Sequence, residues 1–148
     1  MSERLRIAVV SSVGGHLREV LQLWPVLKDH DVFFILNDET SVALPARSYR
    51  IAHAERDLLV LWNLVEAGRI LRRERPDVIL SAGAGPAVPV AVVGRALGAK
   101  IIFIENFGAV RTPSLSGRLM YRLADHFLYQ WPGLRRFFPR GEYVGTVF

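Results

Sequence analysis

Four short turns in this 148-residue chain hold residue types that can do chemistry. They are Val13-Gly14-Gly15-His16, Ala82-Gly83-Ala84-Gly85-Pro86, Glu105-Asn106-Phe107-Gly108 and Gln130-Trp131-Pro132. Paired glycines let the backbone approach a ligand closely, and a helix start offers free N–H donors to a phosphate. His16 stands where such a helix opens. The positive end of a helix favours a neutral imidazole, the form a general base needs. The alternative is a tight strand-to-helix turn with a polar first residue. Adjacent glycines are not a G-x-G-x-x-G fingerprint, so nicotinamide binding has little support and no cofactor is expected.

Gly83 and Gly85 repeat the logic of the first turn. Glu105 directly follows apolar residues, and a carboxylate there must be solvated or paired, because unpaired burial is costly. Binding a ribose or sugar hydroxyl would suit it, and a salt bridge to Arg111 is the alternative. His30, His53 and His126 lack metal-ligand spacing and form no Ser-His-Asp arrangement, so they are expected to be structural and no metal is expected. The chain has no cysteine, which excludes a disulfide scaffold, a thiolate nucleophile and a cysteine-ligated zinc site.

Each turn follows a short apolar run. Residues 5–10, 31–36, 78–81, 100–104 and 126–129 read as strands, the last of these closing the series, with a short strand at 48–52. Helices are expected at 16–28, kinked or shortened by Pro25, and at 57–73, capped by Asp57. Two more are expected at 87–97, opened by Pro86 and closed by Gly98, and at 117–124. Continuous apolar strands alternating with helices predict a parallel sheet covered on both faces. The fold class is α/β, a single Rossmann-like domain over residues 1–148. In such sheets ligands bind beyond the carboxyl ends of the strands, where the four turns lie.

Composition narrows the partners. Apolar residues make up 51% and charged residues 22%, which excludes a disordered tail or a fibrous chain. The net charge is +5, and all basic residues but Lys28 and Lys100 are arginine. Arginine pairs bidentately with phosphate, so acidic lipid headgroups, phosphorylated substrates and nucleic acid are the candidates, with coding bias as the neutral explanation. No helix-turn-helix, zinc-finger or RNP pattern supports nucleic acid, which is not expected as a partner. No signal peptide is visible, and residues 78–94 hold too many glycines and prolines to span a bilayer.

Residues 58–65 (LLVLWNLV) are apolar nearly all round and give way to Arg69, Arg72, Arg73 and Arg75. This is either a well-buried helix with a solvated basic end or an interfacial element. In the second case Leu58, Leu61 and Trp62 enter the headgroup zone of an anionic membrane surface and the arginines meet phosphates. Residues 135–140 mix aromatic and basic side chains in the same way.

Five motifs in one order carry a family resemblance. They are Val13-Gly14-Gly15-His16, residues 75–86 (RPDVILSAGAGP), Ile104-Glu105-Asn106, Ser114-Leu115-Ser116-Gly117-Arg118 and Gln130-Trp131-Pro132. Together they resemble the Alg14-type glycosyltransferase subunits and their bacterial counterparts of the PssD and CpsF type in exopolysaccharide synthesis. A looser similarity links the chain to the N-terminal half of the MurG-type transferases.

The resemblance implies the acceptor-side half of a GT-B enzyme split across two chains. An Alg13- or PssE-like chain would be the donor-binding catalytic partner, with a UDP-sugar at the shared cleft. The acceptor would be a polyprenyl-diphosphate-linked sugar at the cytoplasmic face of the membrane, and the chain a peripheral subunit. Under it Gly14, Gly15, Gly83, Gly85, Asn106 and Arg111 would bind phosphate or substrate, His16 would be the base, and Glu105 would orient substrate in the cleft. Gln130, Trp131, Pro132, Tyr143 and Phe148 would face the partner. Eukaryotic members carry an N-terminal anchor with no counterpart here, so attachment is expected to rest on the apolar and arginine surfaces or on the partner. No appreciable activity is expected without the second chain. The alternatives are a non-catalytic adaptor that anchors and stabilises the catalytic chain and, ranked below it, a basic nucleic-acid-binding domain.

Overall fold

The apolar runs assemble into one seven-stranded sheet whose strands all run parallel. The computed structural model describes residues 3–37, 41–53, 58–83 and 85–147. The strands are β1 (Arg6–Ser11), β2 (Asp31–Leu36), β3 (Ser48–Arg50), β4 (Val78–Ser81), β5 (Lys100–Ile104), β6 (His126–Tyr129) and β7 (Glu142–Tyr143). Their order is β3-β2-β1-β4-β5-β6-β7. The chain works outward from β1 in one direction, then crosses back to β4 and continues in the other. The reversal lies between β1 and β4, and such a switch point opens a crevice at the carboxyl ends of the strands.

The helices are α1 (Gly15–Leu21), α2 (Trp24–Leu27), α3 (Leu59–Glu74), α4 (Ala87–Ala96) and α5 (Leu115–Leu123). Side chains alternate across each strand, so each strand feeds two cores. Ile7, Val9, Val32 and Phe34 meet Leu17, Val20 and Leu27 of α1 and α2 on one face. Ala8, Val10, Phe33, Ile79, Ile101 and Phe103 meet Ala67, Leu71, Val90 and Met120 of α3, α4 and α5 on the other. The expectation of a sheet covered on both sides is met.

Pro25 does more than kink the first helix. With no N–H to continue the ladder it sits in the opening turn of a separate helix, and α1 ends at Leu21. Helix α3 ends on Arg75 in the left-handed conformation (φ 50°). Its expected cap, Asp57, lies outside the described residues, and Leu58 stands at the N-cap without a side-chain bond. The strand at 126–129 is not the last. After a 3₁₀ turn at Pro132–Leu134, Glu142 and Tyr143 pair with Leu128 and Tyr129.

At the amino ends of the strands a charged clasp ties distant segments together. Arg47 binds Glu74 at 2.7 Å and Asp31 at 2.8 Å, and Arg6 binds Asp31 at 2.7 Å. The Tyr49 hydroxyl donates to Glu74. Arg47 holds the carboxyls of both Asp31 and Glu74 below their ordinary values. This clasp lies at the opposite end of the sheet from the four turns.

Candidate functional site

The crevice between β1 and β4 is built from two glycine turns. Gly14 caps α1 at φ 114°, and Gly83 follows β4 at φ 123°, backbone conformations that L side chains rarely adopt. Gly83 is buried, and the His16 ring fills the place a side chain would take there. A Cβ on Gly83 would lie 2.8 Å from His16 Nδ1 and 2.9 Å from Cε1. His16 of the first turn and Gly83 of the second therefore belong to one site. Ala84 of the second turn lies outside the described residues.

The outer side of the crevice is open. Among the described residues, a Cβ added to Gly14 or Gly15 would meet no atom within 4 Å beyond its chain neighbours and own helix. Gly15 also lacks a positive φ, so neither packing nor conformation within this chain requires glycine there. Its missing side chain leaves room above the start of α1, whose first N–H groups have no side-chain cap. Gly85 is exposed beside it.

A third segment closes the crevice. The backbone amide of Phe107, in the β5–α5 loop, acts on the carboxyl of Glu19, one turn along α1 from His16. Burial pushes the Glu19 carboxyl above its ordinary value, while His16 and the Phe107 amide pull it down. Among the described residues, the buried atoms His16 Nδ1 and Glu19 Oε2 both lack a hydrogen-bond partner. The sequence reading missed Glu19. The signal was its place three residues after His16, which puts both on one helix face.

Glu105 does not occupy the cleft as expected. It is 0% exposed, so its carboxylate cannot touch a substrate in this arrangement. It accepts the Asn106 N–H at 2.8 Å, the Ser114 hydroxyl at 2.6 Å and the Ser114 N–H at 3.2 Å. Ser114 in turn caps α5 by accepting the Gly117 N–H at 2.8 Å. A side chain on Gly117 would collide with the Glu105 carboxylate. The motif Ser114-Leu115-Ser116-Gly117 is thus the socket for Glu105. The alternative salt bridge to Arg111 does not occur among the described residues; the pairing is with neutral and backbone donors instead.

Gln130 also departs from expectation. It is 1% exposed, donates from Nε2 to the Glu105 carbonyl and accepts the Val147 N–H, so it cannot face a partner chain. Trp131 donates from Nε1 to the Phe107 carbonyl at 2.6 Å, and its ring lies 5.3 Å from that of Phe107. Pro132 and Tyr143 are exposed, and Phe148 lies outside the described residues. Asn106 turns its own loop by accepting the Gly108 N–H at 2.7 Å.

Arg111 is not in the crevice. It lines a separate depression of about 610 Å³ with Pro132, Gly133, Arg135 and Arg136. Residues 109–141 contain six arginines and one aspartate, a balance of +5 that equals the charge of the whole chain. The other histidines hold strand ends: His30 Nδ1 accepts the Leu5 N–H, and Asn37 meets His53 at 3.1 Å.

Helix α3 is not the well-buried helix that its composition also allowed. Leu58 is 82% exposed, Leu61 61% and Trp62 48%, while Asn63, Ala67, Gly68, Leu71 and Glu74 face inward. The Arg69 guanidinium lies 5.7 Å over the Trp62 ring, and Arg72 and Arg73 are exposed further along. Because α3 runs back from the carboxyl end of the sheet, its apolar end stands at the same end as the crevice. Among the described residues no helix is long and apolar enough to cross a membrane.

Comparison with known proteins decides the family. Residues 46–147, more than half of the chain, match the family model described as oligosaccharide biosynthesis protein Alg14 like. The chain belongs to this family. A human relative, the UDP-N-acetylglucosamine transferase subunit ALG14, is 27% identical over 98% of this chain and 84% of that protein. The Schizosaccharomyces pombe subunit of the same name is 42% identical over 49% of this chain and 37% of that protein.

Among solved structures, MurG from Acinetobacter baumannii superposes with a TM-score of 0.77 at 18% identity. A UDP-N-acetylglucosamine 2-epimerase from Rickettsia bellii gives 0.77 at 11% identity. These cover 97% and 98% of this chain but 45% and 46% of theirs, so the chain spans less than half the length of the structures it matches. The likeness establishes the fold: this Alg14-like chain is one α/β domain of the GT-B type, in the expected fold class. The family is one of UDP-N-acetylglucosamine transferase subunits in oligosaccharide biosynthesis.

Proposed function

We propose that this Alg14-like chain is the acceptor-side half of a two-chain glycosyltransferase, with residues 1–148 as one functional domain. The observation that carries the reading is the His16–Gly83 crevice at the β1–β4 switch point, in a chain whose relatives are named as transferase subunits. The donor is a UDP-sugar, with UDP-N-acetylglucosamine the first choice from the relatives' name. The acceptor is a polyprenyl-diphosphate-linked sugar. An Alg13-like chain supplies the donor site, facing the edge of half-buried Trp131 and exposed Pro132 and Tyr143.

The chemistry follows from the open side of the crevice. The space above Gly14 and Gly15 admits an anionic acceptor to the uncapped N–H groups. His16 Nε2 takes the proton of the acceptor hydroxyl as its oxygen attacks the anomeric carbon. The bond from that carbon to the UDP oxygen breaks, UDP leaves, and the anomeric configuration inverts. Glu105 does not touch substrate in this scheme. It anchors the 105–114 loop, and through that loop the Phe107 amide that lies at Glu19.

Membrane attachment is peripheral and on the cytoplasmic face. The exposed Leu58, Leu61 and Trp62 and the following arginines support this, because an apolar tip with a basic flank suits an anionic headgroup layer. A lipid-linked acceptor would then arrive at the sheet end that holds His16. The test is reconstitution: the chain co-purified with a donor-binding chain should transfer N-acetylglucosamine from UDP-N-acetylglucosamine to a polyprenyl-diphosphate sugar, and neither chain alone should. Full transfer by the donor-binding chain alone would favour the adaptor reading.

A further inference from the structure

Two polar atoms in the crevice are buried without a hydrogen-bond partner among the described residues, and they lie one helical turn apart. They are His16 Nδ1, against Gly83, and Glu19 Oε2, on a carboxyl that the Phe107 amide also acts on. An unmet buried polar group is costly, so two of them one turn apart on the same helix call for an explanation. Residues three apart on a helix are neighbours, and an imidazole N–H and a carboxylate oxygen are complementary. Each is what the other lacks. Gly83 brings no side chain that could serve as partner, and Phe107 brings its backbone amide.

Resting on the reading of His16 as the base, we propose that Glu19 is its positioning residue: the Glu19 carboxylate accepts a hydrogen bond from His16 Nδ1–H, leaving Nε2 unprotonated and directed at the acceptor hydroxyl. The bond a ring nitrogen makes decides which tautomer is present. When Nε2 takes the acceptor proton, the ring becomes an imidazolium with a carboxylate at its inner nitrogen. The charge is balanced inside the crevice until the proton leaves to solvent. Glu19 holds no proton from the substrate and forms no covalent bond. Burial raises the Glu19 carboxyl, and His16 is the side chain that acts against that rise. His16 is the titratable side chain that acts on it, from its own helix; Gly83 adds none from the β4–α4 turn.

The test reads the tautomer directly and needs no substrate. Long-range nitrogen–proton spectra of the full chain, with His16 labelled at both ring nitrogens, should show Nδ1–H in the wild-type chain at pH 8. Glu19→Gln should shift His16 toward Nε2–H, and Glu19→Asp should keep part of the Nδ1–H form. The same populations in wild type and Glu19→Gln would overturn the proposal.

In the complex with a donor-binding chain, Glu19→Gln should lower kcat by roughly 10–100-fold with little change in acceptor KM, the range of an acid–base contribution. The acidic limb of its pH profile should move to lower pH, because the imidazolium has lost its anion. An unchanged kcat and profile, in a complex that His16→Ala inactivates, would refute Glu19 alone. Full activity of His16→Ala would instead refute the reading on which it rests.

Discussion

The imidazole of His16 occupies the side-chain position of Gly83: a Cβ there would lie 2.8 Å from Nδ1, on a backbone at φ 123°. Two segments nearly seventy residues apart in the chain are thereby made into one site. Replacing Gly83 by alanine should move the ring and strain the turn together. The expected result is a loss of about 1–3 kcal/mol in denaturant unfolding. Transfer activity of the complex should fall further than that destabilisation explains.

Gly15 makes the opposite prediction. Among the described residues, none beyond its own helix and chain neighbours lies within 4 Å of where its side chain would be. Gly15→Ala should leave stability unchanged or raise it by up to about 1 kcal/mol, since alanine is the better helix former. If the space above it receives the acceptor, KM for acceptor should rise while unfolding is unimpaired. Unfolding curves and acceptor titrations on the same preparation separate the two effects.

The clasp at the far end of the sheet sets an acid limit. Arg47 holds Asp31 and Glu74 below their ordinary values of 3.8 and 4.5. A folded-state value below the unfolded one means stability that is present above about pH 4.5 and lost as pH falls through the folded values. Arg47→Gln should therefore lower stability at pH 7 and flatten its decline below pH 4.5. Melting temperatures taken between pH 3 and pH 7 check this.

The exposed end of α3 separates membrane contact from folding. Changing Leu58, Leu61 and Trp62 to serine should abolish flotation with phosphatidylglycerol liposomes. Each change should alter stability by only about 0.5 kcal/mol, because the side chains stand in solvent. Undiminished flotation of the triple variant would remove this patch from the account.

Much of the scaffold was legible in the chain. The bounds of β2, β4, β5 and β6 follow from apolar runs stopped by turn residues, and the alternation with helices dictates the parallel sheet. Strand β7 was invisible because Glu142–Tyr143 has no apolar run and is recruited by the edge of β6. The face of α3 was ambiguous for a physical reason. The first turns of its core side are made by Asn63, Ala67 and Gly68, with Leu71 only further along, while Leu58, Leu61 and Trp62 face outward, the reverse of the usual pattern.

The site divides in the same way. The glycine turns and His16 could be read from spacing, since their constraint is local backbone geometry. Glu105 could not, because its partners Asn106, Ser114 and Gly117 come together only when the loop folds back. A buried carboxylate looks alike in sequence whether it meets a sugar or a serine. Gln130 is the same case, its amide taken up by Glu105 and Val147 of neighbouring segments. Glu19 lay in plain view three residues after His16, and only the shared burial of the two made it significant.

The most direct test of the central claim is the turnover of the His16→Ala complex. The variant chain, co-purified with its donor-binding partner at wild-type stoichiometry, is assayed with UDP-N-acetylglucosamine and a polyprenyl-diphosphate sugar. The account predicts a kcat lower by roughly 10²-fold or more, the size of a general-base contribution, with the complex intact. Near-normal turnover by an intact His16→Ala complex would contradict it and leave the chain a non-catalytic adaptor.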